Sequence, residues 1–395
     1  LLSVLIFVAA THCLVDLVAG TLNPLWPRFE SHFQLAGWEI AALFFLWQLT
    51  TSISQFFFGL YGDRFHARWL LWAGPLAAVV CLGSIGLTDS ALVLAALLVA
   101  GGLGIAAFHP EAAALAGSAA PEQRSRVMSI FIMGGFIGQA IGPVYSGAVV
   151  DYFGLRGLGW GIVVGLVLCL ALIPLGRRNL AAPTSKSQPR RSLESTFRGR
   201  KASLFLVLVI GSLRIIAASG VPVLAGYLLA ARGADATQTG FVQSAFMAGI
   251  GLGGLACAAL LKAHHERLIL WICPLLVTPV LVLIPGMSGL ALAAVVCLTG
   301  LLLGISLPVL ISFGQQLMPG SPRIASSITM GVSWGVGGGG VAIILAACQV
   351  LGRFDVAFYV FAAASTVSSA LCIWLPAIPA ETTDLVTPEE AAMAA

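Results

Sequence analysis

The sequence predicts an all-α, polytopic membrane protein, and three observations carry that prediction. Hydrophobic residues fill 59% of the 395 positions and charged residues 9%, with a mean hydropathy of +0.99, far from the composition of a soluble domain. Apolar runs long enough to cross about 30 Å of hydrocarbon recur along the whole chain. The polar residues that interrupt them are few, and of types that are costly to bury in lipid without a partner. The expected spans are 1–26, 38–60, 69–87, 91–117, 125–150, 155–176, 203–231, 238–261, 267–285, 290–318, 324–351 and 355–376, twelve in all.

The first run has the position of a secretory leader, but it is long, contains Asp16 and lacks an A-x-A cleavage site, so it is expected to stay as a helix. Within it His12 and Asp16 are four residues apart and share one helix face. Trp26 and Trp38 bracket the following connection and read as interface anchors. The fourth run contains Phe108-His109-Pro110-Glu111. Proline leaves a backbone carbonyl unpaired there, and the histidine and glutamate need partners or water. The fifth run carries Gly138, Gly142, Pro143 and Gly147. Small residues four apart let two helices approach closely, and proline bends the helix at that contact.

Between the sixth and seventh spans, residues 177–202 hold eight lysines and arginines against a single glutamate. This basic linker divides the chain into six-helix units at 1–176 and 203–376, followed by an acidic tail at 377–395. If the first helix starts in the cytoplasm, fifteen of the twenty Lys and Arg residues flank cytoplasmic ends and four flank outer ends. That asymmetry places both termini and the tail inside. Arg214, midway along the seventh span, is the remaining one. The linker reads as a solvated, topology-fixing segment, or as one that lies against an anionic leaflet.

Other chemistries are poorly supported. The eight cysteines occur singly, without C-x-x-C spacing, so no disulfide framework or zinc site is indicated, and no metal or cofactor is expected. The net charge of +4 resides in the linker and gives no reason to expect nucleic acid. Gly249-x-Gly251-x-x-Gly254 and Gly335-x-Gly337-x-x-Gly340 fit a dinucleotide fingerprint, and Gly331-Val332-Ser333-Trp334-Gly335 fits a nucleophile elbow, yet none follows a strand. These glycines read as helix-contact positions, and the chain is not expected to be an enzyme.

Six plus six helices around a central linker resembles the major facilitator superfamily, and specific residues extend the likeness. Gly59-Leu60-Tyr61-Gly62-Asp63-Arg64-Phe65-His66-Ala67-Arg68 resembles that family's signature between its second and third helices, with Gly59, Asp63, Arg64 and Arg68 matching. The resemblance implies that these residues lock the outward-facing state. The second-half counterpart has Lys262 where the aspartate would stand. Gly138 to Gly147 resembles the fifth-helix motif of the family's proton-coupled exporters, with Ser146 replacing one glycine. His12, Asp16, Phe108-His109-Pro110-Glu111, Arg214, Gln315-Gln316-Leu317-Met318-Pro319-Gly320 and the glycine-rich run 331–340 together resemble the fosmidomycin-resistance branch. A basic residue is usual shortly after the glutamate of that branch; here Ala112, Ala113 and Ala114 follow it.

The resemblance implies proton-driven efflux of a small anionic or amphiphilic compound from a midplane cavity between the halves. On the residues themselves, Asp16, Glu111, His109 and His12 are candidates for proton coupling, since a carboxylate beside a movable cation can act as a proton switch. Arg214, His12, His109, Glu111, Gln139 and Gln315 are candidates for substrate contact, with Arg214 holding an anionic group. The expectation is that these groups from the first, fourth and seventh helices meet in one wet chamber. Duller roles stay open: a structural ion pair for the charges, and interhelical hydrogen bonding for His12, Gln139, Gln315 and Gln316. The expected partners are a small-molecule substrate, protons and the lipid bilayer, for a monomer in the inner (cytoplasmic) membrane. The alternatives are an importer or uniporter of an organic anion without proton exchange, and a membrane receptor or scaffold that transports nothing.

Overall fold

Apolar side chains alone do not dictate a helix. In hydrocarbon, however, every backbone N–H and C=O must find its partner inside the segment, and these long runs therefore coil. The computed structural model describes residues 2–65, 67–119, 124–180, 201–260, 265–317 and 327–376. The helices are α1 (Leu2–Gly20), α2 (Trp26–His32), α3 (Gly37–Phe65), α4 (Leu70–Gly83), α5 (Ala91–Ala119), α6 (Arg124–Phe153), α7 (Trp160–Leu180), α8 (Lys201–Ala231), α9 (Ala236–Leu260), α10 (Glu266–Leu283), α11 (Gly289–Leu317), α12 (Ser333–Leu351) and α13 (Val356–Leu371). Among the described residues there are twelve spans long and apolar enough to cross a membrane and no strand. The protein is a multi-pass membrane protein of twelve transmembrane helices.

Two local expectations are corrected. The first span runs Leu2–His32 but is not one helix: α1 ends at Gly20, before the turn and the short 3-10 helix Asn23–Leu25 that lead into α2. Trp26 is consequently an interior residue and not an interface anchor: it is wholly buried, edge-on to Phe29 and Phe44 with centroids 6.0 and 5.3 Å away. Trp38 is exposed. The eleventh span opens with a π-helical stretch, Ser327–Val332, where the Ser333 hydroxyl donates to the Ile328 carbonyl at 3.0 Å. A wide turn of this kind marks a place where a helix departs from regular geometry.

The N-terminal helices α1–α7 and C-terminal helices α8–α13 meet along two seams. One pairs α6 with α9, where the backbones come so close that a Cβ on Gly240 would collide with the Pro143 carbonyl oxygen. The other pairs α3 with α12, with Ile53 against Gly335 and Gln48 against Gly338. At the end of the bundle away from residues 2 and 376 the halves are also tied by polar contacts. Gln349 Nε2 donates to Glu30 Oε2 at 2.6 Å, and Gln243 Nε2 to the Asn23 carbonyl at 3.1 Å. Linker residues 181–200, the tail 377–395, His66, Lys262 and the Met318-Pro319-Gly320 segment lie outside the described residues.

Candidate functional site

The first-half polar residues converge because α1 and α5 both lean on α6. His12 and Asp16 project from the same face of α1, and His109 reaches them from α5, one residue before Pro110. His12 Nε2 lies 3.4 Å from Asp16 Oδ2, His109 Nε2 lies 3.3 Å from Asp16 Oδ1, and the two Nε2 atoms are 3.2 Å apart. Each ring is oriented from its other nitrogen: His12 Nδ1–H donates to the Phe131 carbonyl at 2.7 Å, and His109 Nδ1–H to the Ile105 carbonyl at 2.8 Å. A carbonyl only accepts, so these bonds assign the proton of each neutral ring to Nδ1. Both Nε2 lone pairs then point at one another and at a carboxylate.

Around this triad, Gln139 Nε2 donates to Asp16 Oδ2 at 3.3 Å. The Phe131 ring stacks on His12 with centroids 4.1 Å apart. Room for the rings exists because Gly135 has no side chain: a Cβ there would stand 2.6 Å from His12 Nε2 and 2.7 Å from Asp16 Oδ2. Further along α6, Gly138 and Gly142 press on the α1 backbone at Cys13 and Leu17, while Gly147 presses on α9 at Ala236. Pro143 sits between these two contacts, within the helix.

The other expected members lie elsewhere, so the single chamber is not what this conformation contains. Arg214 is 0% exposed. Its Nε donates to Ser368 Oγ at 3.0 Å, one Nη to the Leu270 carbonyl and to Cys372 Sγ, and Nη1 has no acceptor among the described residues. All these partners belong to α10, α13 and the turn after it, so a residue expected to face the other half is turned into its own. Glu111 lies beside the end of α3, with Oε1 in the place a Gly62 Cβ would take. It therefore abuts the signature stretch rather than the triad. Gly59 packs on Pro110, also of α5. Asp63 and Arg64 belong to the last turn of α3, with side chains outside the described residues, and Arg68 lies in the turn that leads into α4. Gln315 is exposed near the end of α11, where its neighbour Gln316 donates to Glu266 Oε2 at 2.9 Å.

Three participants were not singled out from sequence. Phe131 acts through its backbone carbonyl and its ring. Gly135 could have been noticed as part of Gly134-Gly135-x-x-Gly138, which extends the small-residue spacing of α6 one turn earlier. Asp151, at the end of α6, accepts from Thr237 N at 2.7 Å, Thr237 Oγ1 at 2.6 Å and Ala236 N at 3.2 Å. It satisfies orphan N–H groups at the start of α9 across the boundary between the halves.

Comparisons with known proteins agree with this architecture. Residues 8–224 match the family model described as Major Facilitator Superfamily. The fosmidomycin resistance protein of Escherichia coli (strain K12) is 24% identical over 344 residues, 85% of this chain and 84% of that protein. The multidrug resistance protein MdtG of Escherichia coli (strain 55989) is 27% identical over 243 residues, 60% of this chain and 58% of that one. Among solved structures, the nucleoside transporter NupG, in the form of a point mutant, superposes with a TM-score of 0.74 at 11% identity, covering 94% of this chain and 99% of its own.

Proposed function

Because the chain belongs to the Major Facilitator Superfamily, and is a transporter rather than an enzyme, we propose that it is a proton-coupled exporter of a small anionic or amphiphilic compound working by alternating access. The observation that carries the reading is the meeting of His12 Nε2, His109 Nε2 and the Asp16 carboxylate within 3.2 to 3.4 Å. With both rings donating from Nδ1, three acceptors face one another, an arrangement that repels unless a proton sits among them. A proton on either Nε2 turns the repulsion into a charge-assisted hydrogen bond, and its departure restores it. The triad is thus a site whose geometry depends on whether a proton is bound. The carbonyl that anchors His12 lies on α6, one of the helices that form the seams.

The efflux direction is supported by the names of the fosmidomycin-resistance and multidrug-resistance relatives. The basic linker supports an orientation with both termini inside. On that orientation the end where Asp151 and Gln349 tie the halves is the outer one. An importer or uniporter that grips an anion through Arg214 has less support, because that guanidinium is shut away from the seam. A scaffold that transports nothing would have no use for a proton-dependent triad.

The test is flux in proteoliposomes, with ligands first selected by thermal stabilisation of the purified protein and fosmidomycin included in the panel. An imposed pH gradient should drive uphill movement of the selected compound. Movement indifferent to that gradient would remove the antiport reading.

A further inference from the structure

The same three side chains have the arrangement of a metal site, and this does not depend on how transport is driven. His12, Asp16 and His109 each offer one ligand atom to a common point. His12 Nε2 and His109 Nε2 are 3.2 Å apart, close to the edge of about 3.3–3.4 Å in a tetrahedron with metal–ligand bonds of about 2.0–2.1 Å. His12 Nε2 meets one Asp16 oxygen at 3.4 Å and His109 Nε2 meets the other at 3.3 Å, and one ligand atom from each residue lies within 4.8 Å of the other two.

The outer contacts fit as well. A metal-bound histidine commonly donates its other N–H to a carbonyl or carboxylate, which fixes the tautomer that leaves a lone pair on the binding nitrogen. Both rings do so, to Phe131 and Ile105. Gln139 fills the corresponding place on the carboxylate. The absent side chain of Gly135 lets α6 pack against the ligand atoms without a methyl group among them. The cluster is largely buried, with the His109 side chain retaining 21% exposure.

We propose that His12 Nε2, His109 Nε2 and an Asp16 carboxylate oxygen bind a first-row divalent transition-metal ion such as Zn2+, chosen by the donor set, with the fourth position open. Two imidazoles and one carboxylate disfavour Mg2+ and Ca2+, which take mainly oxygen ligands. The ion occupies the place a proton would otherwise take, so metal and proton exclude each other there.

The experiment is isothermal titration of Zn2+ into full-length, detergent-purified protein carrying no histidine tag, with Co2+ as a spectroscopic second probe. One Zn2+ should bind per chain, and Co2+ should give the intense visible bands of a four-coordinate ion. Asp16→Asn and His109→Gln should each weaken Zn2+ by about tenfold or more. A double variant, His264→Gln with His265→Gln, should bind as the wild type does, since these two adjacent histidines are not part of the triad. Monodisperse elution and an unchanged melting temperature without metal establish that the variants are folded. Zn2+ binding that survives Asp16→Asn and His109→Gln, or is lost in the 264/265 variant, overturns the assignment, as does failure of the wild type to bind. These readouts need no flux, so loss of the antiport reading and loss of this one are separate results.

Discussion

His12 and His109 face each other through Nε2 atoms 3.2 Å apart, while each gives its Nδ1–H to a backbone carbonyl. Neither ring can turn away to relieve that contact without abandoning its carbonyl. The pair therefore reports the charge placed between the rings. For His109→Asn we expect uphill transport to fall to the level that the compound's own gradient sustains, with the protein still folded; paired flux and melting measurements check this.

Gly135 is the position where α6 makes room for the triad. Gly135→Ala puts a methyl group 2.6 to 2.7 Å from His12 and Asp16, an overpacking expected to cost about 1–3 kcal/mol. Transport should drop with it. Gly254→Ala, whose methyl group would meet Phe136 at 3.8 Å, should leave melting temperature and flux unchanged.

Asp151 ties α6 to the start of α9 by three hydrogen bonds. For Asp151→Ala, loss of this capping interaction should cost about 0.5–2 kcal/mol. If the halves separate at this end during the transport cycle, the tie is lost there, and the variant should spend more time open. Thiol labelling of a cysteine introduced at Thr237 would be slower in the protein that retains Asp151.

Arg214 is expected to act in stability rather than in substrate capture. Arg214→Ala removes the donor to Ser368, Leu270 and Cys372 from a fully buried site. A loss of about 2–5 kcal/mol is expected, as for other large-to-small buried changes. If Arg214 were the substrate anchor, the variant would instead melt normally without ligand and lose ligand stabilisation alone.

Particular residues show what sequence could and could not convey. Twelve spans follow from the length of the apolar runs, and the common face of His12 and Asp16 follows from their spacing of four. That His109 joins them could not be read from spacing, because it comes from another helix 97 residues away. Arg214 shows the limit: a charge in mid-span has a depth that sequence reveals and a direction around the helix that it does not. Glu111, two residues after His109, is carried about 200° around α5 and meets Gly62 instead. Trp26 reads as an interface residue because its span looks unbroken, whereas the Gly20-to-Pro24 turn folds it inward. Asp151 gives no signal because its partners are backbone N–H groups of another helix, visible only after packing.

The most direct test of the central claim, that the His12–Asp16–His109 triad carries the exchanged proton, compares wild type and Asp16→Asn in two modes of the same proteoliposome assay. With substrate on both sides and no pH gradient, both proteins should exchange labelled for unlabelled compound. With a pH gradient imposed, the wild type should accumulate the compound and Asp16→Asn should not. Gradient-driven accumulation by Asp16→Asn equal to that of the wild type would contradict the account.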